Sequence, residues 1–422
     1  MQATTRNSIQ ERISRDRIEP EGNVVLSRVV LVAAAIGLVV SLAFGASDGW
    51  STFFRSYILN FAFVVSLALG AMFFVLLQHL SGASWSVVVR RVAESIAASI
   101  PWLGLIGIPI LVPVFLGMKE VYPWADAAEV QHDQLLQWKQ PYLNPPFFAV
   151  RMVIYFGVWS VIARFYHEMS VAQDTSGESD FTTRMRRWSG IGIIALGITL
   201  TFFSIDLIQS MTPHWYSTIY GVYFFSGAVV GFFALLCIAL DQLQRHGRLR
   251  SSVTAEHYHD LGKYLFAFVV FWAYIAFSQY MLVWYANLPE ETAWYNARQQ
   301  SGWWVGVSVL LLVGHFIVPF WALLSRRSKR HRGWLAIVAA WVLFMHWVDV
   351  YYLVGPPSHH FHAHVDSLGH DANSSPLHVT DISLLVGIGG VFLWATLISM
   401  DRASLIPKRD PQIAESLAFE NI

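Results

Sequence analysis

Residues 206–227 read DLIQSMTPHWYSTIYGVYFFSG. Two long apolar segments meet here through a turn of a few residues. Asp206 lies just inside the first segment, Pro213-His214-Trp215-Tyr216 makes the turn, and a Gly- and aromatic-rich run opens the second. An acid at that depth is costly unless it is paired, wetted or used. The stretch sits at the midpoint of 422 residues, so the chain reads as two halves joined at this turn.

Working outward, the composition places both halves in lipid. The chain is 55% hydrophobic and 13% charged, where soluble domains run at about a quarter charged. Several apolar runs reach the ~20 residues that a membrane-spanning helix needs. Eighteen Trp and sixteen Tyr suit interfacial belts. Cys237 stands alone. That excludes an internal disulfide, a covalent haem attachment of the CxxCH type and an iron–sulfur cluster held by this chain's own cysteines. Residues 1–25 are polar and precede a long apolar run without a small-residue cleavage site, which is not a secretory signal. No nucleotide fingerprint, phosphate loop or internal repeat is present, so nothing points to a nucleic-acid partner.

The fold class expected is an all-α polytopic membrane protein with ten spans. They run over about 26–46, 54–78, 95–118, 147–168, 189–209, 214–241, 260–287, 302–324, 333–354 and 379–400. Pro101, Pro109 and Pro113 make the third the least regular. With both termini in the cytoplasm, 23 of the 28 Lys and Arg fall on the inner side. The outer side keeps Arg55, Lys119, Lys139, Arg151 and Arg298. That bias supports the span count and the orientation together, because an odd number of spans would break the alternation. The division is a cytoplasmic arm (1–25), a membrane domain (26–400) and a cytoplasmic tail (401–422). Two outer loops are long: the acidic 119–146 and the His-rich 355–378.

Ionisable and polar residues within spans are the functional candidates. In the outer half these are Asp206, Gln279, His346 and Asp349, the last two sharing a helix face at a spacing of three. His315 is near the middle of its span. Toward the inner side stand His79, Glu94, His167, Glu168, Asp241, Lys263 and Tyr264. Most of the inner group sits at helix ends, where long side chains reach the headgroups and pair with one another. The deeper group points to proton handling: a carboxylate one turn from an imidazole orients it and stabilises its charged form. Such residues would serve either two half-channels meeting mid-membrane or a pocket in which a quinol loses its protons. A bis-His haem between His315 and His346 fits less well. Their positions along adjacent helices differ in depth by roughly 7 Å at 1.5 Å per residue, whereas axial ligands straddle one iron. His359, His360, His362 and His364 alternate along the outer loop and offer a weak transition-metal site. A solvated low-complexity loop explains them more simply.

Four stretches carry a resemblance: Asp206…MTPHWYSTIYGVYFFSG, ARFYHE (163–168), HDLGKYLFAFVVFWAYIAFSQYMLVWYANLPEE (259–291) and HWVDVYYLV (346–354). They resemble the ActF-type membrane subunits of bacterial alternative complex III, a quinol:cytochrome c oxidoreductase. These belong to the NrfD-like, polysulfide-reductase-type proteins. The resemblance covers about residues 25–400. It implies two four-helix bundles, about 54–209 and 214–354, with 26–46 and 379–400 peripheral. It implies a subunit without redox centres of its own rather than an enzyme by itself. Haem and iron–sulfur clusters would belong to partners: a multihaem and a monohaem cytochrome, an iron–sulfur protein and an ActC-like paralogue. A terminal oxidase or soluble carrier would accept electrons through the complex. Quinol or menaquinol is the small molecule implied, although in the family the better-supported quinol pocket belongs to the paralogue and the ActF-type subunit is assigned a proton path. Localisation would be the bacterial cytoplasmic membrane.

By position, Asp206, Gln279, His346 and Asp349 would form the outer proton path or quinone pocket. His167, Glu168, Lys263 and Tyr264 would form the inner entry, with His315 between. Two other classes of function stay open: a stand-alone proton-coupled transporter, and a structural anchor for peripheral haem and iron–sulfur subunits.

Overall fold

The computed structural model describes residues 16–19, 24–299, 302–356 and 377–420. Among these the chain is all-α, with no strand. Among the described residues nine helices are long and apolar enough to cross a membrane, and a bent pair makes a tenth if it counts as one span. We label the long helices α1 (Val24–Asp48) and α2 (Trp50–Ser81), then the broken third span as α3 (Val87–Ala97), α4 (Ile100–Ile106) and α5 (Leu111–Phe115). There follow α6 (Pro145–Ser176), α7 (Asp180–Leu207), α8 (Tyr220–Arg245) and α9 (Ala255–Ala286). The eighth span is α10 (Gly302–Leu310), a π-helical stretch Leu311–Ile317, and α11 (Val318–Leu324). The last two are α12 (Arg332–Val354) and α13 (Val379–Met400). The His-rich segment, with His359, His360, His362 and His364, lies outside the described residues.

Proline accounts for the irregular third span. Each of Pro101, Pro109 and Pro113 removes a backbone donor and crowds the preceding turn. The span splits with a 40° bend at Gly107. The Tyr57 hydroxyl donates to the carbonyl of Ile106 at the break, so a neighbouring helix satisfies a freed group.

α2 is buried along nearly its whole length and packs on α7, α8, α12 and α13. α8 is the other central helix, against α2, α9 and α12. α1 and α13 make the most extensive helix pair. Small residues allow that approach: a Cβ on Gly37 would meet the backbone of Ser383 and Gly387, and Ser41 bonds Ser383 at 2.6 Å.

The described segments nearest the two ends of the chain reach the same face. The amide of Leu405 donates to the carbonyl of Ile18 at 2.8 Å, and Asp16 accepts from the amides of Ser251 and Ser252. Several charged residues of this terminal face are paired, and Arg90, Arg91, Glu94, Asp241 and Asp410 among them are buried. Arg90 bonds Glu94 (3.2 Å) and Asp410 (2.6 Å), Arg91 bonds Glu94 (3.2 Å) and Asp174 (3.0 Å), and Asp241 holds Arg245 (2.6 Å) and Arg332 (2.9 Å). Glu94 and Asp241 are therefore accounted for by packing.

All five cations of the opposite face are engaged as well. Lys119 pairs with Glu129, Lys139 donates to the carbonyl of Pro213, and Arg151 pairs with Asp206. Arg55 and Arg298 close the C-terminal end of α12. Arg55 donates to the carbonyls of Val354 and Gly355, and Arg298 to those of Tyr352 and Leu353. Helix ends leave such carbonyls orphaned, and a cation there also complements the dipole. Burial pulls the Arg298 pKa down to about 10, which leaves it charged at neutral pH. Gly355 is fixed by this arrangement. Its φ is +62°, and a Cβ there would overlap the Arg298 guanidinium.

Candidate functional site

The site grows from α12. Asp349 and His346 lie one turn apart on the face that meets α8, and both are buried. On α8 the facing positions are Gly227 and Gly231. A Cβ on Gly227 would stand 3.0 Å from His346 Cε1 and 3.4 Å from Asp349 Oδ2; one on Gly231 would overlap the imidazole. Two glycines at a spacing of four thus open the space that the polar pair occupies.

Asp349 receives two donors. Tyr223 Oη, on α8, donates to Oδ1 at 2.6 Å, and Trp272 Nε1, on α9, donates to Oδ2 at 3.0 Å. His346 Nε2 lies 2.8 Å from Ser66 Oγ. The Ser66 hydroxyl has one proton, and its geometry directs that proton to the Phe63 carbonyl at 2.6 Å. Ser66 therefore accepts from His346, which places the imidazole proton on Nε2 and leaves Nδ1 as an acceptor. Nδ1 has no partner among the described residues, and it stands 3.1 Å from the Cβ position of Gly227.

His315 joins this cluster from the π-helical stretch. Its ring lies 3.9 Å from that of Trp272, and neither ring nitrogen has a partner among the described residues. Pro319 explains the local widening: it lacks the amide that would bond one turn back, and its ring crowds that carbonyl. Trp341 Nε1 donates to the Gly314 carbonyl at 2.7 Å. Buried imidazole nitrogens are seldom left unbonded, so this region calls for water or a ligand.

A cavity of about 470 Å³ adjoins the cluster on the side of α9 and the eighth span. Tyr223 and Trp272 form part of its wall, so the two donors to Asp349 separate that carboxylate from the cavity. Gln279, Tyr295, Phe316 and Tyr352 line it further. Gln279 accepts from Ser217 Oγ at 3.2 Å and donates to Tyr295 Oη at 3.1 Å. Ligand pockets usually enclose about 300–1,000 Å³ with apolar walls and few polar groups. Exposed Phe277, Val309 and Leu312 stand at its edge, where an apolar ligand would enter from the lipid.

The candidates read from sequence separate into distinct places. His346, Asp349 and His315 come together, and Gln279 lines the adjoining cavity. Asp206 does not join them. It is buried in a bidentate pair with Arg151, Nε to Oδ2 at 2.7 Å and Nη2 to Oδ1 at 3.1 Å, and it also accepts from Tyr155 Oη at 2.6 Å. The Arg151 guanidinium lies over the Tyr142 ring at 3.9 Å. On the terminal face, Lys263 Nζ pairs with Asp260 at 2.5 Å, and Tyr264 stacks between Trp85 and Phe233. His167 and Glu168 line a different groove, between α6 and α13. Among the described residues no group of three or more His, Cys, Asp or Glu could hold a metal ion.

Sequence reading passed over Tyr223, Trp272, Ser66, Gly227 and Gly231. The glycine spacing was a readable signal that α8 makes a close contact, but nothing in the sequence says what fills the gap. The sequence matches no protein-family model and no curated protein.

Proposed function

We propose that this chain is the membrane subunit of a quinol-oxidising electron-transfer complex, and that the cavity beside Asp349 receives the quinol ring. One observation carries the reading. An aromatic cavity open toward lipid is walled by the two side chains that hold a buried carboxylate. Tyr223 Oη can take a proton at the cavity wall while passing its own to Asp349 Oδ1 over 2.6 Å. Asp349 and His346 then hold protons one turn apart. Trp272 orients the ring by contact, and Gln279 by the amide N–H that it does not give to Tyr295. Electrons leave through partner subunits, which the resemblance to ActF-type proteins names as cytochromes and an iron–sulfur protein. Proton entry from the terminal face falls to Lys263 and Tyr264, which share α9 with Trp272, and His315, whose ring lies against Trp272, takes the proton on to the Asp349 cluster.

The same resemblance supports the finer architecture. α2 packs on α3 and α7, and α6 on α3, α4 and α7; α8 packs on α9 and α12, which both contact the eighth span; α2 meets α8 between the two groups. With the basic terminal face in the cytoplasm, the cavity lies in the outer half of the membrane. Asp349 is five residues from the outer end of α12, about 8 Å along the axis. The ion-paired Asp206, by contrast, favours an anchoring role for the joint at residues 206–227.

A light-activated quinone analogue tests the assignment. Labelling should fall on peptides of α8, α9 and the eighth span, and excess quinol should suppress it. Labelling confined to other helices would overturn the reading. Purification under mild detergent should also bring haem-containing partners with the chain, whereas a stand-alone transporter would arrive without them.

A further inference from the structure

A groove of about 940 Å³ lies at the terminal face between α4, α6 and α13, away from the Asp349 cluster. Its polar wall holds Arg164, His167 and Glu168 on α6, and Ser399 and Arg402 at the end of α13. Its other wall is apolar, with Pro101, Trp102 and Leu105. Depth sets this arrangement. A hydrocarbon core of about 30 Å takes some twenty residues of helix. Counting from Pro145, α6 leaves the core near Arg164, and α13 leaves it near Ser399. Arg164 and Arg402 therefore stand at headgroup level, and Trp102 and Leu105 face the acyl region.

These two guanidiniums differ from the ion-paired cations of that face. Arg90, Arg91, Arg245, Lys263 and Arg332 all hold acids. Arg164 and Arg402 are exposed and have no side-chain partner among the described residues. His167 adds a buried Nδ1 without a partner, its Nε2 lying 3.5 Å from Ser399 Oγ. Glu168 also lines the groove, so two cations and one carboxylate leave a single net positive charge.

We infer that this groove binds one anionic glycerophospholipid with a hydroxylated headgroup, its phosphate between Arg164 and Arg402 and its chains along Trp102 and Leu105. Guanidinium matches the phosphate oxygens. Glu168 and Ser399 accept from headgroup hydroxyls, and a single phosphodiester charge balances the site. Basic pockets between helices at the cytoplasmic surface are suited to such lipids.

The test uses the full chain in detergent, washed free of lipid, with binding read by native mass spectrometry and by the thermal unfolding midpoint. The probes are dioleoyl phosphatidylglycerol, dioleoyl phosphatidylethanolamine and inorganic phosphate. Phosphatidylglycerol should bind and raise the midpoint, and Arg164→Gln/Arg402→Gln should weaken binding on the order of thirty-fold. Arg184→Gln/Arg187→Gln, on an exposed stretch of the same face, should bind as wild type does, and Arg164→Lys/Arg402→Lys should recover part of the loss. Equal phosphatidylglycerol binding by wild type and the Gln double variant would overturn the proposal. So would equal binding of phosphatidylethanolamine. Competition by inorganic phosphate as strong as that by lipid would assign the groove to a free phosphate instead.

Discussion

The Arg151–Asp206 pair gives the sharpest structural prediction, because its two partners are buried and its geometry is bidentate. Side-chain exposure is 7% for Arg151 and 0% for Asp206. Arg151→Met leaves the carboxylate buried, with the Tyr155 hydroxyl still donating to it. Breaking such a pair from one side costs about 3–5 kcal/mol, because the remaining charge stays uncompensated. Asp206→Asn costs less. Arg151 keeps the Tyr142 carbonyl at 2.8 Å and the rings of Tyr142 and Phe147 at 3.9 and 4.4 Å. Replacing the set at once, as Arg151→Met/Asp206→Leu/Tyr155→Phe, removes both charges and the Tyr155 hydroxyl and should restore most of the lost stability. Denaturant unfolding in a fixed detergent measures all three variants. Recovery of at least about 2 kcal/mol over the Arg151→Met single is expected. Additive losses in the triple variant would refute the clamp. Quinol oxidation by the folded triple variant should match wild type, since the clamp lies apart from the Asp349 cluster.

Three further outcomes follow from the geometry. Gly355→Ala should destabilise by about 1–3 kcal/mol from backbone strain alone, and more as Arg298 is pushed from the α12 carbonyls; unfolding measurements report it. Gly231→Ala should displace His346 from Ser66 and lower quinol oxidation at least tenfold, while Gly306→Ala, with open space around it, changes neither activity nor stability. On the outer surface, burial acts to raise the Asp133 pKa, but the Leu136 amide and His214 outweigh it and hold the carboxyl below its ordinary 3.8. A depressed carboxyl stabilises the fold above its unfolded value and loses that contribution as pH falls through the folded one. Protease cleavage within 119–146 should therefore be constant from neutral pH down to about 5 and accelerate only in stronger acid, with Asp133→Asn showing the acid behaviour at neutral pH.

Much of the architecture was legible because lipid imposes strong local rules. Span length, apolar composition and the placement of Lys and Arg are all one-dimensional signals. The Pro-broken third span was legible for the same reason, since Pro109 acts on its own neighbours. Partnership across helices was not. Arg151 counts as one outer cation in the sequence, and nothing there links it to an acid 55 residues away. Asp206 and Asp349 look alike as acids near the outer ends of spans. The fold gives one a guanidinium and the other a phenol and an indole. The spacing of His346 and Asp349 was readable as a shared face, whereas the π-helical turn that brings His315 to Trp272 depends on packing around Pro319.

The central claim is that Asp349 accepts protons from a quinol held in the adjoining cavity. The most direct measurement is steady-state quinol oxidation by the assembled complex carrying Asp349→Asn, with haem content and unfolding midpoint matched to wild type. An amide keeps the Tyr223 and Trp272 contacts within reach but cannot serve as the base. The account predicts a loss of about 10²–10⁴-fold in turnover, the usual contribution of a positioned base, with labelling by the quinone analogue retained. Wild-type turnover in that variant would contradict it.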